Sequence, residues 1–344
     1  MKTVFYLGLI VLTLIVHQPL SSYSQGCCSG GSSSPIASGE AIGVLKVNEI
    51  DISTNFQYYQ SNKFYAGTQD TLSLFDDFIT DYLFLKADYG LTEDLTLSVS
   101  SGYYLNKNLF ESGDEEPLNS SGIADLIILP KYSVWNKTED GIKSELTVGV
   151  GIKFPLGSFT DSIDVFTNLV NNQVYYAQLP PSLQATNGST DLIFSSFLYR
   201  NSKESSVKFF ASTMYIKKGW NSLGEKFGDY MSLGLFASKE LTPFLNGSLQ
   251  LKGEKVNSIQ AADGVDILAL YNVDITQTGS EKLFLVPQIS FNRDQFTFFL
   301  NTEIPLYQNM TGIQLGSQYS ITTGLSYRFS TKKTSDNNPQ LILN

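Results

Sequence analysis

Polar and apolar residues alternate along most of this chain. From Ile313 to Phe329, one register is Leu315, Ser317, Tyr319, Ile321, Thr323, Leu325, Tyr327 and Phe329. The other is Gln314, Gly316, Gln318, Ser320, Thr322, Gly324, Ser326 and Arg328. A strand sends alternate side chains to opposite faces, so this stretch predicts one strand with an oily face and a wet face. At about seventeen residues it outruns the usual strand of a soluble sheet. A transmembrane strand needs about ten residues, with aromatics at the membrane interfaces.

Eleven earlier runs are also strand-like. Val47 to Tyr59 sets Glu49, Asp51, Ser53, Asn55 and Gln57 against Ile50, Ile52, Phe56 and Tyr58. Lys143 to Phe154 sets Glu145, Thr147, Gly149, Gly151 and Lys153 against Leu146, Val148, Val150, Ile152 and Phe154. Comparable runs are Phe78 to Tyr89, Leu95 to Leu105, Ile123 to Trp135, Asp191 to Tyr199, Ser206 to Ile216, Tyr230 to Ala237, Phe244 to Lys252, Leu283 to Phe291 and Gln295 to Ile304. Leu192 to Tyr199 is apolar on both faces, which suits a partly lipophilic interior.

The connections alternate in length. Short polar turns such as Gly90 to Asp94 and Asn292 to Asp294 interleave with longer segments at Ser61 to Asp76, Lys107 to Gly122, Gly157 to Gly188 and Val256 to Gly279. Pro305 to Gly312 reads as one further, shorter loop. Outer-membrane barrels pair short periplasmic turns with longer outside loops and have an even strand count. The pattern therefore predicts an all-β fold, an antiparallel transmembrane β-barrel of about twelve strands with a flexible N-terminal segment. The expected division is a signal peptide over 1–24, a Gly/Ser-rich segment and possible plug over 25–45, the barrel over 46–330, and a polar periplasmic tail over 331–344.

Composition sharpens this reading. Aromatics make up 13% of the chain, with 19 Tyr and 23 Phe, and a membrane barrel uses such residues in its interface girdles. The net charge of −10 argues against nucleic acid as a partner, because phosphate binding needs clustered Lys and Arg. Lys2, the apolar run Val4 to Val16 and the small residues Ser22 and Ser24 form a secretory signal pattern. Its removal would take His17, the only His of the sequence. A chain without histidine has no Ser-His-Asp or Cys-His catalysis, no His base and no His metal ligand. The expectation is a non-enzyme with no cofactor.

Candidate chemistry is sparse. Cys27 and Cys28 lie in the Gly/Ser-rich segment. They admit lipid modification at Cys27, a soft-metal or redox thiol pair, or an adjacent-residue disulfide or link to another chain. The inward register carries Glu49, Asp51, Glu145, Lys153, Lys252 and Arg328 as lumen-lining candidates. Charges on a lumen wall set selectivity or bind a plug, or pair across neighbouring strands and stiffen the wall. Asp161, Asp164 and Asp191 offer oxygen donors of the kind calcium takes, but their spacing matches no calcium loop, and no metal site is expected.

Four stretches carry a family resemblance. They are Gly122-Ile123-Ala124-Asp125-Leu126 leading to Lys131-Tyr132; Gly149 to Lys153 followed by Phe154-Pro155-Leu156-Gly157; Gly188-Ser189-Thr190-Asp191; and Pro305-Leu306-Tyr307 running into Gly312-Ile313-Gln314 and then Tyr327-Arg328-Phe329. In this order they resemble the outer-membrane family of meta-pathway phenol degradation transporters, within the FadL-like superfamily. The resemblance spans roughly residues 90 to 330. It implies a monomeric barrel that passes small hydrophobic compounds, with an N-terminal segment plugging the lumen. The chain departs from fatty-acid transporters in having fewer strands, no helical hatch and the Cys27-Cys28 segment.

The function expected from these readings is passive uptake of small hydrophobic or amphipathic solutes across the outer membrane, with membrane lipid and solute as partners. The alternative is a non-transporting structural or adhesion barrel that binds a partner through its long outer loops.

Overall fold

The computed structural model describes residues 43–331, apart from 74, 112–115, 169–171, 203–206 and 272. Twelve long strands form the wall among these residues: β1 (Glu49–Ser61), β2 (Asp77–Gly90), β3 (Leu95–Phe110), β4 (Leu126–Glu139), β5 (Ile142–Phe154), β6 (Asp191–Ser202), β7 (Val207–Lys217), β8 (Tyr230–Thr242), β9 (Leu245–Val256), β10 (Ser280–Arg293), β11 (Phe296–Leu315) and β12 (Tyr319–Ser330). Each pairs antiparallel with its sequence neighbours. β12 closes the sheet against β1, from Glu49 opposite Ser330 to Gln60 opposite Tyr319. A closed sheet has no free edge, so every wall strand has its backbone partners on both sides, as lipid requires.

Alternation on the strands assigns the faces as the sequence indicates. On β5, Thr147, Gly149, Gly151 and Lys153 are buried inward, while Val150, Ile152 and Phe154 are exposed. On β12, Ser320, Thr322 and Ser326 face in, while Ile321 and Leu325 face out. Outward aromatics gather near the short-turn end. Phe244 stands 6.3 Å from Phe291, and Phe296 stands 4.6 Å from Tyr327. At the other end Phe194 stacks on Tyr215 at 6.3 Å. Between them lies an outward band of Leu, Val and Ile that includes Leu85, Val99, Leu235, Ile289 and Leu300. An apolar band between aromatic girdles is the outer face of a transmembrane barrel. No helix among the described residues is long and apolar enough to cross a membrane, so the strands form the span.

One of the two-residue turns is Asp140-Gly141, where both residues take positive φ, 48° and 77°. That conformation matches the twist of the flanking strands in a two-residue hairpin.

The last two strands correct the sequence reading. Ile313 to Phe329 is not one strand. β11 runs through Pro305–Gly312 to Leu315, a turn follows at 316–318, and β12 starts at Tyr319. Pro305 is accommodated by a bulge that shifts the β10–β11 register at Leu283/Phe284, the place where a strand accepts proline. The Gln308 amide holds the turn by donating to the Ser317 carbonyl at 2.8 Å and accepting from the Ser317 N–H. Small polar residues fit a wet strand face and a turn equally well, so alternation alone did not separate the two.

The 111–125 connection is partly strand. Leu118–Ile123 pairs with the outer half of β3, and β4 begins after a kink at Ala124-Asp125. An apolar cluster of Phe64, Phe78, Leu109, Leu179, Leu183 and Leu315 fills the barrel beneath the long connections.

Candidate functional site

The barrel interior combines rings and ion pairs. On β2 the inward residues run Thr80, Tyr82, Phe84, Lys86 and Asp88. The Tyr82 ring lies across Gly102 of β3, where an added Cβ would come within 2.1 Å of the Tyr82 hydroxyl. Gly102 therefore permits the ring to lie flat on the wall. Tyr104 packs on Tyr82 at 4.6 Å. Beyond Tyr104 a bulge inserts one residue: Tyr82 faces Tyr104, but Asp81 faces Asn106 and Thr80 faces Lys107. The bulge reverses the phase of β3 and turns Lys107 inward. Its ammonium lies 4.3 Å from the centre of the Tyr104 ring.

The long β5–β6 connection enters the lumen. A hairpin of Ser162–Asn168 and Gln173–Gln178 comes first. After it, Leu179, Leu183, Gln184, Ala185, Thr186 and Asn187 are buried. Lys107 donates to the Gln184 carbonyl at 2.6 Å, and Ser120 donates to the Leu183 carbonyl. The Gln184 side chain donates to the carbonyls of Leu179 and Asp161, at 2.9 and 3.0 Å, and accepts from the Asp161 N–H. Asn187 accepts from Lys153 at 2.9 Å through its side chain, and from Asn221 at 3.1 Å through its carbonyl. The segment is thus held inside the barrel by hydrogen bonds to the wall and to neighbouring connections.

Charged groups meet in clusters. Lys153 lies 2.6 Å from Asp125 and 2.9 Å from Asp191, and Lys218 reaches Asp191 at 3.0 Å. Lys252 lies 2.9 Å from Glu254 and 2.5 Å from Glu303, and Tyr230 donates to Glu254 at 2.7 Å. Lys86 and Lys131 both meet Asp88, at 2.9 and 3.3 Å. Arg328 donates to Asp51 through Nε and Nη2, at 2.9 and 2.8 Å.

The residues expected to line the lumen are distributed over these clusters. Asp51 and Arg328 pair with each other, while Lys153 and Lys252 belong to separate clusters. Glu145 lies near the short-turn mouth, 3.4 Å from Lys143. Glu49 sits at the rim and accepts the Lys46 N–H at 3.2 Å. Alternation on β2 would have added Lys86 and Asp88. The inward loop had no such signal, because its contacts are long-range. Cys27, Cys28 and the segment 25–42 lie outside the described residues. At the edge of that segment, the N–H groups of Val44 and Leu45 donate to Glu145 at 3.4 Å and Thr96 at 2.7 Å, and Leu45 is buried. Asp191 is held by two lysines, and no group of potential metal ligands occurs among the described residues. Outside the wall, the Asp274 carboxyl is held below the ordinary carboxylate range by hydrogen bonds from Thr276.

A cavity of about 260 Å³ occupies the interior. A second, of about 140 Å³, lies beside it toward the long connections. They share Tyr82, Tyr104, Lys107, Pro181, Phe227, Tyr230 and Glu303 as lining residues. The shared lining is mainly aromatic, with one cation and one carboxylate.

No protein-family model matches the chain, and no curated protein sequence matches it. Solved structures do. The COG4313 outer membrane channel from Pseudomonas putida F1 is similar over 83% of this chain and 97% of its own, at 13% identity and a TM-score of 0.59. A FadL homologue of Pseudomonas aeruginosa covers 92% of this chain and 99% of its own, at 8% identity and a TM-score of 0.39. The NanC porin covers 81% of this chain and 98% of its own, at 10% identity and a TM-score of 0.41. The first of these likenesses establishes the fold, that of an outer-membrane β-barrel.

Proposed function

We propose that the protein is a passive outer-membrane channel for small hydrophobic or amphipathic solutes. The observation that carries this reading is the pair of adjacent cavities inside a closed wall, with aromatic rings in their shared lining. Rings offer broad, non-directional contact to an apolar solute, while the surrounding hydroxyls, lysines and carboxylates keep the path wet. An outer-membrane channel fold in a similar solved structure supports it. The closed wall needs no second chain to satisfy its edges, which fits the monomer that the family resemblance implies. Its chemistry is selection and passage, with no catalytic step.

The inward β5–β6 segment sets the bore, and hydrogen bonds from Lys153 to the Asn187 side chain and from Lys107 to the Gln184 carbonyl hold it. The long connections face outside and the chain ends face the periplasm, following the arrangement of outer-membrane barrels. We propose in addition that the N-terminal segment over 25–45 can plug the bore, a reading motivated by the bonds of Val44 and Leu45 to the inner wall.

The test is uptake of small radiolabelled aromatic and aliphatic compounds into liposomes that contain the purified protein. Uptake above protein-free liposomes supports the channel. Uptake equal to the control supports a non-transporting barrel that binds a partner through its outer loops.

A further inference from the structure

We infer that the lumen holds a carboxylate-binding site at Lys86 and Lys131, and that the preferred solutes are small monocarboxylates with an apolar body. This rests on the channel reading above and narrows it.

The chain is acidic, with a net charge of −10, yet its interior cavity of about 260 Å³ is not. Lys86, Lys107, Lys131, Lys153, Lys218 and Lys252 line it, against only three carboxylates, Asp88, Asp125 and Glu303. The acidic surplus lies elsewhere, and a lumen wall rich in lysine favours anions.

The reachable cations are concentrated at one place. Lys153 meets two carboxylates, and so does Lys252. Lys86 and Lys131 share the single carboxylate of Asp88. These two are also the more reachable. Their side chains are 23% and 16% exposed, whereas those of Lys153, Lys218 and Lys252 are at most 7% exposed. An ammonium group has three N–H donors. Asp88 takes one contact from each lysine, and both side chains line the cavity. The Ser100 hydroxyl stands opposite Lys86 on β3 and lines the same cavity.

The apolar half of the site is on the same strand. Phe84 and Tyr82 precede Lys86 at alternate positions and face inward. Two residues of strand advance about 7 Å, roughly the length of a benzoate ion. A carboxylate held by Lys86 and Lys131 places its ring over Phe84. Leu129 and Ile127, opposite Ser98 and Ser100, extend that apolar wall. A dicarboxylate would carry its second charge into this apolar stretch and lose that contact.

The test uses the purified full-length protein in planar bilayers across a KCl gradient near 0.1 M, where screening reaches about 10 Å. The wild type is expected to show a reversal potential that favours chloride. Lys86→Met/Lys131→Met should lose that preference, and Asp88→Asn, which frees both ammonium groups, should strengthen it. Benzoate should reduce chloride current through the wild type and not through the double variant, and neutral benzamide should have no effect. Folding of each variant is checked by its heat-dependent gel mobility. Should the double variant fail to fold, the opposite-signed change in Asp88→Asn decides the matter. Cation preference, selectivity unchanged in the variants, or benzamide as effective as benzoate would overturn the site. A folded wild type that carries no KCl current would overturn the channel reading and this inference together.

Discussion

The Lys153 ammonium lies 2.9 Å from the Asp191 carboxylate, across the β5–β6 pair in which the two residues face each other. Asp191 is fully buried and also takes Lys218, Ser189 and the Gly219 N–H. It joins β5 to the end of the inward connection at Ser189 and to the β7–β8 connection at Lys218 and Gly219.

Asp191→Asn leaves two lysines facing a neutral group. Breaking a buried pair from one side costs about 3–5 kcal/mol. The expected loss lies toward the low end, because Asp125 still neutralises Lys153. Urea unfolding in detergent micelles should show it, with partial recovery in Asp191→Asn/Lys218→Met. An unchanged midpoint in the single variant would show that the cluster contributes nothing to stability.

The two faces of β12 should differ in their tolerance of charge. Leu325 faces out and Ser320 faces the smaller cavity. Leu325→Arg is expected to cost about 2–4 kcal/mol if it sits near the bilayer middle, whereas Ser320→Arg extends into wet space. Equal sensitivity at the two positions, measured by unfolding in lipid vesicles, would contradict the membrane-facing assignment.

The inward segment should set the bore. Leu183 is wholly buried, and Leu183→Ala removes about 2–5 kcal/mol of packing. That is enough to loosen the segment without opening the wall. Single-channel conductance should rise and become noisier. Conductance equal to wild type would place the narrowest point elsewhere.

Deleting residues 26–38 tests the N-terminal segment. If it occupies the lumen, the deletion gives larger and less gated conductance. The bonds from Val44 and Leu45 to Glu145 and Thr96 motivate that expectation. No change would make the segment a spacer, and Cys27 and Cys28 would then act outside the pore.

The sequence by itself determined the strands, their faces and therefore the barrel. Alternation is local, and lipid outside with water inside imposes it on every wall strand. That is why Asp51, Lys153 and Lys252 were legible as inward groups. The tertiary structure decided their partners. Asp51 meets Arg328 only because β12 closes on β1 in one register, and register belongs to the whole barrel. It also decided the phase of Lys107, which a single bulge reversed, and the turn that divided β11 from β12. The fall of Leu183 and Gln184 into the lumen was likewise hidden, because it depends on Lys107 and Ser120, more than sixty residues earlier in the chain. Short-range pattern fixes which face a side chain takes, whereas contacts between distant segments depend on how the closed wall brings those segments together.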